Sequence, residues 1–284
     1  MTNLHGSAFA PVTDPEMRRT ERRRLAQFLA AGTALFLIAV VGAAFVPLRW
    51  PDLVRRAGHS IIFVPAIYWL TMRMLRRDSR DRPFSPTFDS RPVSRDTIPW
   101  LTTGGALAGT ITAIFMWLFG LHWTIDPAVG PGALALMLFN IAIIAAAEEI
   151  AFRGYALWRL VRLIGIWPAQ VIIAIAFAVS HLTLGGYALL PALAGTIVGS
   201  ILYGIVFVRT GGLAAPIALH VGWNIVQHVL LSPLEPSAAV LRPAFLHPVT
   251  TSEYASMLLI VGTSMAIAAA ILWRRGQSPP VTAT

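Results

Sequence analysis

The sequence predicts an all-α protein, a polytopic bundle of about eight transmembrane helices with both termini in the cytoplasm. Three observations carry that expectation. Of the 284 residues, 56% are hydrophobic and 12% charged, against roughly 25% charged in a soluble globular domain. The apolar residues gather into eight runs near the ~20 residues that a span needs, at 25–47, 57–75, 98–121, 131–152, 167–184, 189–208, 212–231 and 254–273. The 22 basic residues, all arginine, divide unequally when the chain is threaded from a cytoplasmic N-terminus. Eighteen fall inside and only Arg49, Arg55, Arg56 and Arg242 outside, which is the bias of the positive-inside rule.

Taken in order, residues 1–24 read as a cytoplasmic Arg-rich tail carrying Arg18, Arg19, Arg22, Arg23 and Arg24. The first apolar run is longer than a signal-peptide core, so it stays as an anchor. It pairs with the second run to make an N-terminal helix pair over 25–75. The second run is short and contains His59 and Pro65. Omitting it as a span would move the cluster from Arg73 to Arg95 outside, against the arginine bias. Residues 76–97, rich in Arg, Asp, Ser and Pro, read as a solvated cytoplasmic loop. The remaining spans form a core over 98–275, and 276–284 is a polar tail.

The net charge of +9 would suggest nucleic acid in a soluble protein. Here the arginines flank apolar runs, where they set orientation and meet anionic lipid, so no nucleic-acid partner is expected. The absence of cysteine excludes disulfides, thiolate nucleophiles and Cys-ligated metals.

Of the 13 acidic residues, 11 read as loop or tail residues. The other two, Glu148 and Glu149, stand side by side in the apolar run NIAIIAAAEEIAFRG, where ionised side chains oppose insertion unless they are paired or face water. Glu149 and Arg153 are i,i+4, the spacing of a helical ion pair. Glu148 points about 100° away, along the stripe of Asn140 and Ile144. His181 lies in the next run. The short connection Ile164-Gly165-Ile166 predicts a helical hairpin about 164.5, and Glu148 and His181 both stand 16.5 residues from that point, hence at one height. The seventh run adds His220 and Asn224 at i,i+4, with His228 a further step along the same face.

A carboxylate, two imidazoles and an amide converging at low dielectric make a hydrolytic set. Glu148 and His181 can orient and deprotonate water, while His220 and Asn224 can donate to the oxyanion of a tetrahedral intermediate. Glu149 and Arg153 then play a supporting part. Metal-free water activation, with no cofactor, is the preferred reading. Zinc stays open, since Glu148, His181 and His220 are ligand types that zinc accepts, although no HExxH occurs.

These residues resemble the CAAX-processing and bacteriocin-processing (CPBP) intramembrane proteases, also called type II CAAX prenyl endopeptidases or the Abi family. Glu148-Glu149-Ile-Ala-Phe-Arg153 is similar to its EExxxR, Phe177-Ala-Val-Ser-His181 to its FxxxH, and His220-Val-Gly-Trp-Asn224 to its final HxxxN, all in the family's order. The resemblance implies a helical membrane endopeptidase in which the first Glu and the middle His activate water and the last His and Asn stabilise the oxyanion. It also implies a peptide or lipidated-protein substrate presented at the membrane, here expected to be a bacterial plasma membrane. A proton-coupled transporter is the alternative from another class, but it predicts internal repeats, and none is visible. A catalytically silent scaffold or immunity protein is the other, and it gives no reason to keep four groups of catalytic type.

The topology also predicts the site's depth. Glu148 is about 17 residues along the fourth run, roughly 26 Å down a core of about 30 Å, so the site should open to the cytoplasmic half. His181 stands about 24 Å above the hairpin tip and His220 about 14 Å above its own connection. Those heights meet if the hairpin projects about 10 Å beyond the core as a wet extension carrying Arg153, Arg159 and Arg162.

Overall fold

The computed structural model describes residue 9 and residues 11–44, 52–79, 97–125, 130–183, 192–231 and 241–275. Helix dominates. Among the described residues the helical segments are α1 (Pro15–Ala44), α2 (Asp52–Ser79), α3 (Ile98–Phe119), α4 (Pro131–Ile164), α5 (Ile166–Thr183), α6 (192–210), α7 (214–231) and α8 (Thr251–Arg275). Each overlaps one of the eight apolar runs. By length and composition α3, α4 and α8 can cross a membrane, with 22, 34 and 24 qualifying residues. At 1.5 Å per residue they measure about 33, 51 and 36 Å, against a core of about 30 Å.

Three boundaries differ from the sequence reading, each for a local reason. α1 begins at Pro15, inside the expected 1–24 tail. The Asp14 carboxylate accepts the Met17 N–H at 2.7 Å and Pro15 fills a position that needs no donor. α2 continues to Ser79; of the expected 76–97 loop, residues 80–96 lie outside the described residues, as do residues 1–8 and the 276–284 tail. α4 runs twelve residues past 152, through a wide π segment at Ile150–Leu157 and a last α segment at Trp158–Ile164.

The extension of α4 is not the wet basic projection that the sequence suggested. Arg153, Arg159 and Arg162 are all buried. Glu21 and Asp78, read from the sequence as tail and loop acids, are buried helical residues that meet Arg159 and Arg162. Arg159 pairs with both Glu21 and Asp78, and Arg162 reaches Glu21 at 3.6 Å. Asp78 also accepts from Arg24 at 2.5 Å and from the Tyr155 hydroxyl at 2.7 Å. The guanidinium of Arg159 lies over the rings of Trp158 and Tyr155 at 4.5 and 4.9 Å, which adds cation–π attraction away from water. Hydropathy ends a span at a charge; here opposite charges from α1 and α2 let the helix continue.

At the other end of the bundle the all-α expectation misses a two-stranded antiparallel sheet. β1 (Leu121–Ile125) pairs with β2 (Leu241–Phe245) in the register Leu121↔Phe245 to Ile125↔Leu241. Gly120, at φ 64°, ends α3 in the left-handed region and turns the chain into β1, a conformation open to glycine at little cost.

The core gathers around α7. A Cβ on Gly104 of α3 would stand 2.0 Å from the Leu219 carbonyl oxygen, and one on Gly222 of α7 would stand 2.0 Å from that of Leu101. The two backbones are therefore nearly in contact, as small residues permit between membrane helices. α7 also packs on α4 and α6, which puts His220 against both.

Candidate functional site

Each member of the site is placed by a helix, Arg153 by the π segment of α4. Glu148 and Glu149 close the regular part of α4, immediately before its π segment; such widened turns re-aim side chains and recur at functional sites. Arg153 lies one turn further on α4, His181 near the end of α5, and His220 in the middle of α7.

The structure brings Glu148, His181 and His220 together. The Nε2 atom of His181 is 3.8 Å from Glu148 Oε1, and that of His220 is 3.7 Å from Glu148 Oε2. Both separations exceed a hydrogen bond, so the three groups face one another across a gap. Glu148 and His181 keep partial exposure, with 23% and 17% of the side chain accessible, whereas His220 keeps 5% and Glu149 and Arg153 none. The accessible side of the cluster is thus the Glu148–His181 side.

Both imidazoles are oriented through Nδ1. In His181 the Nδ1–H donates to the Phe177 carbonyl at 2.9 Å, within its own helix, which leaves Nε2 towards Glu148. The ring of Phe177 lies 4.4 Å from the His181 ring and 4.5 Å beneath the Arg153 guanidinium. The four-residue spacing from Phe177 to His181 thereby has a physical cause. In His220 the Nδ1–H donates to Glu149 Oε1 at 2.8 Å. The same oxygen accepts from Arg153 Nη1 at 3.1 Å, and Arg153 Nη2 donates to the Ser200 hydroxyl at 2.7 Å.

The i,i+4 rule identified Arg153 as the partner of Glu149 but gave no sign of His220, because that contact joins residues 71 apart. Ser200 and Tyr203 on α6 were missed altogether; the only signal was a serine among the glycines and aliphatics of VGSILYG. Asn224 is half-buried one turn beyond His220, and no hydrogen bond joins it to Glu148, His181 or His220. Asn140 is fully buried two turns before Glu148, and His228 is buried two turns beyond His220.

Among the described residues no group of three His, Asp or Glu side chains has the arrangement to hold a metal ion. A surface recess of about 430 Å³ lies elsewhere, between the segment at Val12 to Arg18 and the turn at Leu163 to Gly165. It holds none of the site groups. Convergence of polar side chains, and not volume, marks the site.

Residues 130–226 match the family model described as type II CAAX prenyl endopeptidase Rce1-like. The matched segment reaches from α4 into α7 and contains Glu148, Glu149, Arg153, His181, Ser200, Tyr203, His220 and Asn224. No curated protein matches the chain.

Proposed function

We propose, from the premise that residues 130–226 form a type II CAAX prenyl endopeptidase-like segment, that this membrane protein is an intramembrane endopeptidase. The family is one of proteases, and α3, α4 and α8 are long and apolar enough to cross a bilayer. The observation that carries the catalytic reading is the convergence of Glu148 with two histidines whose Nε2 atoms both face it at 3.7–3.8 Å.

A neutral His181, with its proton on Nδ1, offers a lone pair at Nε2, and ionised Glu148 offers another acceptor beside it. One water can donate a proton to each, which turns its own lone pair outward towards a substrate carbonyl. As the water oxygen bonds to the carbonyl carbon, its proton passes to Glu148. When the tetrahedral intermediate collapses and the C–N bond breaks, that proton goes to the leaving amine. His220, held from behind by Glu149, donates from Nε2 to the oxyanion when both ring nitrogens carry protons, and the Asn224 amide supplies a second donor. No cofactor enters this mechanism; zinc on Glu148, His181 and His220 is the rival reading that the chelator arm below tests, although these three side chains do not stand in a metal-holding arrangement here. The substrate is a peptide or lipidated protein presented at the membrane, with anionic lipid around the basic end and no nucleic acid.

The test uses purified wild type and Glu148→Gln with a quenched-fluorescence farnesylated CAAX peptide and its unprenylated twin, with and without a zinc chelator. The expected result is cleavage by wild type in either condition and a loss of about 10²–10⁴-fold in Glu148→Gln. Equal rates for the two proteins would overturn the reading, and loss on chelation would replace metal-free activation by zinc.

A further inference from the structure

His220 is the one site histidine that nothing in its own helix orients. Its Nδ1 depends on Glu149, and Glu149 depends on Arg153, yet a carboxylate and a guanidinium buried side by side still have freedom to slide and rotate. Two residues of α6 remove it. Ser200 and Tyr203, three apart and so on one helix face, are both buried and both touch this chain of contacts. The Ser200 hydroxyl accepts from Arg153 Nη2 at 2.7 Å, while Arg153 Nη1 bonds Glu149. A planar guanidinium tied at both terminal nitrogens has its plane and its reach fixed. Tyr203 lies flat on the imidazole of His220, with ring centroids 4.3 Å apart and planes 19° apart, and its ring is 5.6 Å from the Arg153 guanidinium. It covers one face of the imidazole while the Phe177 ring stands edge-on at 6.3 Å, 71° to that imidazole.

We propose that Ser200 and Tyr203 are the positioning residues of His220, Ser200 through the relay Arg153–Glu149 and Tyr203 by stacking, and that together they aim Nε2 at the reacting group beside Glu148. The inference rests on the peptidase reading. Neither residue touches substrate in this account, so their effect appears in the chemical step: a misaimed donor costs transition-state stabilisation while substrate binding is untouched.

The experiment compares wild type, Ser200→Ala, Ser200→Thr, Tyr203→Leu and Tyr203→Phe on the farnesylated peptide, with thermal unfolding of each purified protein, and repeats Ser200→Ala and Tyr203→Leu in a His220→Ala background. Expected are a fall in kcat of about 10- to 100-fold for Ser200→Ala and Tyr203→Leu with KM held within about twofold. Threonine should rescue through its hydroxyl and phenylalanine through its ring. Both losses should vanish in the His220→Ala background, because residues acting through one group are not additive with its removal. A kcat loss that persists without His220, or that follows the folded fraction alone, overturns the proposal. So does wild-type kcat in Ser200→Ala or Tyr203→Leu while Glu148→Gln is inactive. If Glu148→Gln equals wild type, the peptidase reading fails first.

Discussion

Glu149 accepts from Arg153 and His220 on a single oxygen, and that one contact changes what the residue is for. From spacing alone it was half of a local ion pair; in the structure it also holds a histidine from another helix. The pair is wholly buried, so its desolvation is large and is offset only while both partners are present. Removing one partner of such a pair typically costs about 3–5 kcal/mol. Arg153→Met should therefore lower thermal stability in detergent and folded yield, with activity falling alongside. Arg153→Lys should fail to restore both, since one ammonium cannot reach Glu149 and Ser200 in the fixed fork that guanidinium provides. Unfolding temperatures and yields of the two variants check this, and wild-type stability with abolished turnover would make Arg153 a purely chemical residue. The sequence told of Glu148, Glu149, His181 and His220 because charge and imidazole are conspicuous in apolar runs. Ser200 and Tyr203 were hidden because such residues are common in membrane helices.

At the scale of elements, hydropathy located each helix and misjudged where several end. It reads a charge as the end of a span, whereas α1, α2 and α4 carry Glu21, Asp78, Arg159 and Arg162 into mutual burial. Pairing between distant segments has no local signature. The β1–β2 pair was invisible for the same reason, two five-residue strands 116 positions apart joined by long-range hydrogen bonds. Glycine is a clearer case of an effect decided by the neighbouring helix. On α3, a Cβ on Gly104 would stand 2.0 Å from the Leu219 carbonyl oxygen of α7, whereas one on Gly109 would meet nothing within 4 Å. Gly104→Ala and Gly222→Ala should force α3 and α7 apart and cost about 1–3 kcal/mol or more, whereas Gly109→Ala should be neutral or slightly stabilising through helix propensity. Thermal denaturation of the three variants decides it, and equal effects at positions 104 and 109 would mean that the close approach carries no energetic weight.

For the whole molecule, contacts between distant segments sort the helix ends into two groups. The Val12 N–H donates to the Arg162 carbonyl at 2.8 Å, and Arg18 donates to the Leu163 carbonyl at 3.1 Å. Asp78 joins Arg24 and Arg159, the rings of Trp167 and Trp273 meet at 4.8 Å, and Arg209 reaches the Trp273 carbonyl at 3.4 Å. The start of α1, the end of α2, the α4–α5 turn, the end of α6 and the end of α8 therefore share one end of the bundle. The β1–β2 sheet with Arg242 occupies the other. The positive-inside rule would place the basic end in the cytoplasm. The prediction is that single cysteines at Thr13 or Ile164, both exposed, react with a membrane-impermeant maleimide only after the cells are opened. Cysteines at Ile125 or Leu246, exposed at the sheet end, should react in intact cells. The absence of native cysteine makes the readout clean. Labelling of Thr13→Cys and Ile164→Cys from outside would invert the orientation, and mixed labelling within one group would break the two-ended arrangement. If the expected pattern holds, Glu148, on the partly accessible side of the site, lies on a helix whose basic end is cytoplasmic, 16 residues before the α4–α5 turn begins at Ile164. If the α4–α5 turn also projects about 10 Å beyond a core of about 30 Å, Glu148, about 24 Å of helix from it, stands in the cytoplasmic half, and a substrate anchored in the inner leaflet would meet it without crossing the bilayer.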